Sequence, residues 1–261
     1  MVFIATSASA KVVGYQNLDV VGEEVGGNSW LINTLPAVGK KLDANTLGDL
    51  KVVIPEGGLV SEYSVHVLTY NEAGQYDGDF VYLDADSNGA LYDAETGWYT
   101  TESVEAWELI PCGDAKIEFG RGFNILSDCG AKITCAGEVA STDFSVTVNG
   151  EDVGGNTWTG NCSPVDLTLA DFGITPPEGG LTSEYSIHVL TYDDAGQYAG
   201  DYVYLDADSN GALYDAETGW YTTESVEAWE LVPCGTTPVK AGQMINILSD
   251  CGATLTIPSA L

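Results

Sequence analysis

The feature that most constrains the fold of this chain is an internal duplication. The segment 56–112 recurs at 178–234, 122 positions later, with seven differences. Shorter matches flank it, EEVGGNSW with EDVGGNTW before it and GFNILSDCGAKIT with MINILSDCGATLT after it. A chain that repeats so long a sequence contains one local structure twice. We call the two copies the first repeat and the second repeat.

Each repeat has the length of an ordinary domain. The chain has 261 residues, which is enough for two medium domains that each bury a sizeable core. We therefore predict one domain at 11–139 and a second at 140–261. The boundary between them is expected near 139–143.

The N-terminus carries a pattern typical of export. The first ten residues end in Ala8-Ser9-Ala10, the small-x-small pattern that signal peptidase cleaves. Residues 1–10 are therefore predicted to be a signal-peptide remnant, and the mature protein is expected outside the cell or at its surface. The alternative is an exposed N-terminal strand, because the same stretch contains good β formers.

The composition argues against two classes of partner. Eight Lys plus Arg stand against 39 Asp plus Glu, a formal net charge of -31. Such a field repels nucleic acid and anionic lipid, so we expect neither nucleic acid binding nor membrane insertion. Charged residues make up only 18% of the chain and hydrophobic residues 44%, so the acidity is not a sign of disorder.

Short apolar segments alternate with Gly, Asn and Asp turns along both repeats. EYSVHVLTY, DFVYLDA, FNILS and AKITC are examples, and TESVEAWEL could form a short helix or a strand. We predict an all-β fold of two tandem β-sandwich or jelly-roll-like units, with short helical turns at most. Three conservative differences between the repeats are predicted to mark core positions: Val65/Ile187, Phe80/Tyr202 and Ile110/Val232.

Six cysteines in a chain with an export-like start predict disulfides. Two cysteines of each repeat match in position, at the same 17-residue spacing, and two more have no counterpart. This arrangement favours three pairings: Cys112–Cys129, Cys234–Cys251 and Cys135–Cys162. A zinc site is the alternative, but the chain has no CxxC motif and few histidines.

An acidic loop recurs in both repeats. From 56 to 112, and again from 178 to 234, there are twelve acidic residues and no Lys or Arg, so each segment needs counter-ions, protonated carboxyls or a metal. Within them, 84–95 and 206–217 both meet the pattern D-x-[DN]-x-[DN]-G-x5-E in full. The alternative is a plain turn, because Asp, Ser, Asn and Gly all favour turns.

This 12-residue pattern resembles the calcium loop of EF-hand proteins. The resemblance implies that Ca²⁺ is the cofactor, that Leu91 anchors the loop and that Gly89 permits its sharp turn. It implies side-chain ligands at the first, third, fifth and twelfth positions and a backbone carbonyl at the seventh: Asp84, Asp86, Asn88, Ala90 and Glu95 in the first loop, and Asp206, Asp208, Asn210, Ala212 and Glu217 in the second.

Groups that could support catalysis are scarce. His66 and His188 are the only histidines, and each lies in a predicted strand, where a packed histidine is expected rather than a general base. We therefore expect no enzyme. Trp98, Tyr99 and Trp107, with their partners in the second repeat, form either a sugar-stacking platform or part of the core, and core packing is favoured.

Export, tandem β units, disulfides and calcium together predict a structural role. We expect a secreted, calcium-stabilised subunit of an extracellular filament, sheath or surface layer. Self-association is expected by strand addition, with a segment around Lys11 to Val21 of a neighbouring molecule completing the second repeat. The alternative is a calcium-dependent carbohydrate-binding or adhesive module. The segment KAGQMINILSDCGATLT is also similar to secreted β-repeat proteins of uncharacterised activity, which imply no function.

Overall fold

The computed structural model describes residues 13–25, 27–32, 45–117 and 119–259, so the predicted signal-peptide remnant lies outside the described part. Strands dominate, and the helices are short. The predicted all-β class is therefore confirmed. In the described part of the chain, no helix is long and apolar enough to cross a membrane.

The two repeats fold into the same order of elements. In the first repeat these are β1 (Val13–Val20), β2 (Asn28–Ile32), β3 (Asn45–Thr46), β4 (Lys51–Val53), β5 (Val65–Tyr70), β6 (Tyr76–Leu83), β7 (Gly97–Thr100), α1 (Thr101–Glu105), β8 (Lys116–Ile117), β9 (Gly122–Ser127) and β10 (Ala131–Glu138). Short 3-10 helices lie at Glu23–Val25, Leu47–Asp49, Glu62–Ser64 and Asn88–Tyr92.

The second repeat follows the same order. Its elements are β11 (Phe144–Gly150), β12 (Asn156–Gly160), β13 (Leu167–Thr168), β14 (Gly173–Thr175), β15 (Ile187–Tyr192), β16 (Tyr198–Leu205), β17 (Gly219–Thr222), α2 (Thr223–Glu227), β18 (Pro238–Val239), β19 (Met244–Ser249) and β20 (Cys251–Ile257). Its 3-10 helices lie at Glu151–Val153, Leu169–Asp171 and Asn210–Tyr214.

Each repeat pairs its strands within itself and in antiparallel fashion. In the first repeat the strand orders are β2-β9-β5-β6-β7, β1-β10-β4 and β3-β8, and in the second they are β12-β19-β15-β16-β17, β11-β20-β14 and β13-β18. Alternation along the strands buries one face, as Val65 and Val67 on β5 are fully buried and His66 between them is only partly so. Val67 meets Leu18 of β1 and Ile133 of β10 in one core, so the five-stranded and three-stranded sheets pack in a sandwich-like arrangement.

The first strand of each repeat pairs with its last strand. β1 runs antiparallel to β10, from Val13 opposite Glu138 to Val20 opposite Ala131, and β11 pairs with β20 at the corresponding place. The position expected to receive a strand from a neighbouring molecule is therefore filled by β11 of the same chain. β20 is thus paired on both sides, with β11 and β14, and strand addition between molecules stays a prediction.

The described cysteines are free thiols, so the predicted Cys112–Cys129 and Cys234–Cys251 disulfides are not formed in this structure. Cys112 lies beyond β7 at one edge of the five-stranded sheet, whereas Cys129 follows β9. Three strand spacings separate β9 from β7, about 14 Å, and a disulfide needs Cα atoms within about 7 Å. The same sheet order separates the matched pair in the second repeat.

For the third predicted bond, Cys135–Cys162, the structure describes the side chain of only one of the two cysteines. Cys162 is a buried free thiol, and the side chain of Cys135 lies outside the described residues. Burial raises the pKa of the Cys112, Cys162 and Cys234 thiols to about 12, so all three stay protonated at neutral pH.

Two of the three predicted core positions are confirmed. Val65 and Ile187 are fully buried, and the Phe80/Tyr202 pair packs against the core of its repeat. Ile110 and Val232 are exposed instead, so that prediction was wrong. They belong to the short segment that returns along the outer side of β7 and β17, where the backbone bonds to the sheet and the side chain points away from the core.

The two repeats meet through a pair of stacked tryptophans. Trp30 on β2 and Trp158 on β12 lie with ring centroids 4.9 Å apart and planes only 5° from parallel. Tyr70 and Tyr192, at the ends of β5 and β15, pack against both indoles. The contact therefore joins the edge strands of the two five-stranded sheets through a cluster of four aromatic rings.

Hydrogen bonds across this contact are reciprocal. The indole Nε1 of Trp30 donates to the carbonyl of Gly196 at 3.3 Å, and that of Trp158 donates to the carbonyl of Gly74 at 3.2 Å. Each glycine lies in the β-hairpin turn of the opposite repeat, at φ of +70° for Gly74 and +69° for Gly196. The repeats are thus related as the partners of a two-fold dimer are, each giving the other the same surface.

A substitution at the turn measures how much this contact depends on close approach. A Cβ on Gly74 would lie 2.6 Å from the carbonyl oxygen of Asn156, whereas a Cβ on Gly57, also at positive φ, would meet nothing within 4 Å. We expect Gly57→Ala to lower the free energy of unfolding by about 1 kcal/mol from backbone strain, and Gly74→Ala to lower it by about 3 kcal/mol from strain plus overlap. Urea denaturation measures both, and equal losses would contradict the proposed contact.

Candidate recognition surface

The predicted calcium loop folds as a hydrogen-bonded turn that leads into the 3-10 helix Asn88–Tyr92. The Asp84 carboxylate accepts hydrogen bonds from the backbone N–H of Asp86 at 3.1 Å and the hydroxyl of Ser87 at 2.9 Å. Asn88 is only 3% exposed, and its Oδ1 accepts from the N–H of Asp84 at 2.8 Å. Its Nδ2 donates to the carbonyls of Ser61 and Tyr82. A side chain predicted as a ligand therefore holds the turn together.

The remaining predicted ligands are not gathered around a common point. Asp86, Ala90 and Glu95 are exposed, and Leu91, expected to anchor the loop, is 73% exposed. Nowhere among the described residues do three or more His, Cys, Asp or Glu side chains come together as a metal would need. This geometry departs from that of an EF-hand loop. Calcium binding by the loop stays a prediction.

The second loop has the same geometry. Asp206 accepts from the N–H of Asp208 and the hydroxyl of Ser209, and buried Asn210 bonds to the N–H of Asp206 and to two backbone carbonyls. The other two predicted ligands of this loop, Ala212 and Glu217, are exposed.

A network of polar side chains centred on Asp79 covers part of the outer face of the five-stranded sheet. The Asp79 carboxylate accepts from His66 Nε2, from the Thr101 hydroxyl and, at 2.6 Å, from the Tyr76 hydroxyl. Asp201 has the same histidine and threonine partners in the second repeat. His66 is thus a partly buried structural histidine, as expected.

The protonation of Asp79 follows from these bonds. Partial burial acts to raise its pKa, but the hydrogen bonds from Thr101, Tyr76 and His66 outweigh burial and hold the pKa below its ordinary value. Beside this network, Tyr63 donates to Glu105, and this hydrogen bond, with burial, raises the pKa of Tyr63 to about 12. At neutral pH the Asp79 carboxylate is therefore an acceptor and the Tyr63 hydroxyl a donor.

Helix α1 ends in a conformation that is unusual for its sequence. The N–H of Trp107 donates to the carbonyl of Val104 at 3.0 Å and that of Glu108 to the carbonyl of Ser103 at 2.9 Å, the two bonds of a Schellman motif. The left-handed position in this motif is usually a glycine, but here it is Trp107, at φ +59°. The Trp107 side chain is 68% exposed, and Trp229 at the end of α2 has the same φ and 69% exposure.

Trp107 does not stand alone on the surface. Its ring lies 4.8 Å from that of Tyr92, at an angle of 44°, and exposed Leu91 precedes Tyr92 in the chain. Burial and a hydrogen bond to Glu62 raise the pKa of Tyr92, so the Glu62 carboxylate lies beside the Tyr92 hydroxyl. We call Glu62, Leu91, Tyr92 and Trp107 the aromatic platform. The second repeat has a matching platform of Glu184, Leu213, Tyr214 and Trp229.

The sequence correctly predicted the position of only some of these aromatic residues. Trp98 and Tyr99 are buried in the core, as are their partners Trp220 and Tyr221, so the favoured alternative of core packing is right for them. Trp107 was grouped with them but is exposed. One feature of the sequence distinguishes Trp107 from the buried aromatic residues. No glycine follows the short helical segment 101–105, so a bulky residue takes the left-handed position at its C-terminal end.

The variant Asn88→Asp tests whether the acidic loop is a calcium site or a plain hydrogen-bonded turn. Aspartate keeps an oxygen that could ligate calcium, but it lacks the Nδ2 donor to Ser61 and Tyr82 and buries a charge. We expect the free energy of unfolding to fall by about 3 kcal/mol in this variant, and calcium not to restore it. The control Asp86→Asn alters an exposed side chain and should change stability by less than about 0.5 kcal/mol. Full rescue of Asn88→Asp by calcium in thermal melting would establish the metal site.

The variant Asp79→Asn tests the polar network. A carboxylate with a lowered pKa stabilises the fold at pH values above its unfolded pKa of about 4, and this contribution is lost as pH falls through the lower folded pKa. We expect Asp79→Asn to cost about 1 to 2 kcal/mol at pH 7 and much less at pH 2. Chemical denaturation at both values measures this. Asp77→Asn, at an exposed carboxylate on the same strand, is the control, and an equal loss there would contradict the assignment.

Comparison of the chain with protein-family models, with curated proteins and with solved structures finds no match. The likeness of the acidic loops to EF-hand loops remains a resemblance over twelve residues per copy.

Proposed function

We propose that the chain is a non-catalytic carbohydrate-binding module of the cell exterior, which uses its two aromatic platforms as binding sites. The observation that carries the proposal is the exposure of Trp107 and Trp229 in a left-handed backbone conformation. An exported location is supported by the small-x-small pattern near the N-terminus.

The left-handed backbone conformation of Trp107 and Trp229 is energetically unfavourable. A bulky residue in the left-handed region is strained by roughly 1 kcal/mol relative to glycine, and burial of its indole does not offset this, because Trp107 is mostly exposed. Strain of this kind is found at binding sites and active sites. Since the two repeats derive from one duplication, the two tryptophans count as one observation.

The chemistry of the platform suits a neutral sugar. The open face of an indole packs well against the apolar face of a pyranose ring, and a carboxylate at its edge, such as Glu62, can accept hydrogen bonds from sugar hydroxyls. The segment 56–112 contains no Lys or Arg, so an anionic ligand would meet only repulsion there. This proposal does not require calcium.

The polar network around Asp79 supports a role without catalysis. A nucleophilic triad needs the hydroxyl bonded to the histidine and the histidine to the carboxylate. Here the Thr101 hydroxyl and the His66 ring both bond to the same carboxylate, so the histidine does not face the hydroxyl as a base. The expected role as a filament, sheath or surface-layer subunit has less support, since β20, beside which an added strand would lie, already pairs with β11 and β14.

The double variant Trp107→Gly/Trp229→Gly tests the proposed function. Glycine suits the left-handed backbone, so we expect the free energy of unfolding to stay within about 1 kcal/mol of wild type while affinity for a neutral glycan falls at least tenfold. Glycan-array screening followed by titration calorimetry measures binding.

Val53→Ala, at an exposed valine on β4 in the three-stranded sheet, is the matched control and should bind as wild type does. The proposal fails if wild type binds no neutral glycan, if it binds only cationic polymers such as polylysine, or if the double variant binds normally.

A further inference from the structure

We propose that the interface between the repeats is also an interface between molecules, whose partner is a second copy of this chain. Each repeat carries both halves of the contact. It provides a tryptophan donor, Trp30 or Trp158, and a turn glycine acceptor, Gly74 or Gly196. A surface that carries donor and acceptor in this way is self-complementary, as in a two-fold dimer. The first repeat of one chain can therefore pair with the second repeat of another chain as it does with its own.

The two halves are alike in geometry as well as in chemistry. The indole-to-carbonyl distances are 3.3 and 3.2 Å, and an added Cβ on either glycine would overlap the carbonyl oxygen of Asn28 or Asn156 at the same strand position. The two indole rings are nearly parallel, so each presents its face to the other in the same way. Exchange of repeats between molecules therefore recreates the same contacts and creates no new ones.

The connection between the repeats decides which partner is chosen. β10 ends at Glu138 and β11 begins at Phe144, so only 139–143 joins the repeats outside the strands. A flexible connection of this length holds the second repeat at an effective concentration in the millimolar range, which favours closure within one chain in dilute solution. A connection that is too short to close favours exchange.

Exchange leads to open assembly rather than to one fixed oligomer. A chain has two repeats, and each has one such interface, so chains that pair only with neighbours form a linear string or a ring. The net charge of -31 opposes this association, and salt that screens charges beyond about 8 Å at physiological strength lowers the barrier. The interface is formed by β2, β12 and the hairpin turns, and it is separate from the aromatic platforms.

The test shortens the connection in the full chain. Ser141 and Thr142 are exposed, so their deletion removes no core contact. We expect light scattering after size exclusion to show wild type at the mass of one chain, 27.5 kDa, and the deletion variant at two or more chains. The same deletion combined with Trp30→Ala and Trp158→Ala should return to one chain, because the shared interface is lost. A monomeric and folded deletion variant, or assembly that persists without the tryptophans, would overturn the proposal.

If the deletion variant does not fold, a second measurement on the wild-type chain tests the same proposal. Wild-type chains with two different affinity tags are mixed at high concentration, warmed to just below their melting temperature, cooled and diluted. We expect the two tags to co-purify at least tenfold above the level given by a mixture of Trp30→Ala/Trp158→Ala chains. The absence of such enrichment would refute exchange between molecules.

Discussion

The stack of Trp30 on Trp158 is the central contact between the two repeats. The sheets form within each repeat, and the repeats meet at this ring pair, at the two indole hydrogen bonds to turn carbonyls, and at further contacts such as that of Phe119 with Phe144 in the core of the second repeat. Glycine is needed at those turns because the opposite strand approaches too closely for a side chain.

The regular part of the fold could be read from the sequence because it follows local patterns. Val65 and Val67 alternate with half-buried residues in EYSVHVLTY, and that alternation is enough to indicate a strand with one buried face. The relation between repeats could not be read in this way. Trp30 and Gly196 are far apart in the chain, and nothing local to either marks it as the partner of the other.

Sequence spacing carries no information about the direction in which side chains point, and two motifs show this. The acidic loop contains every residue type of a calcium loop, but buried Asn88 turns its amide toward Ser61 and Tyr82 rather than toward a common centre. The spacing of Cys112 and Cys129 is suitable for a disulfide, but the strand order places β5 and β6 between the strands next to them. In the opposite direction, Trp107 resembles a core residue in sequence and becomes exposed because of the way α1 ends.

The free thiols have a consequence for where this fold can exist. Cys112, Cys162 and Cys234 are buried and protonated, and the structure holds together through packing and backbone pairing without a covalent cross-link among the described cysteines. A reducing agent would therefore find no described bond to break, and a mild oxidant would meet thiols that are slow to react. Among the described cysteines, folding therefore requires no oxidation of thiols, because packing and backbone pairing hold this part of the chain.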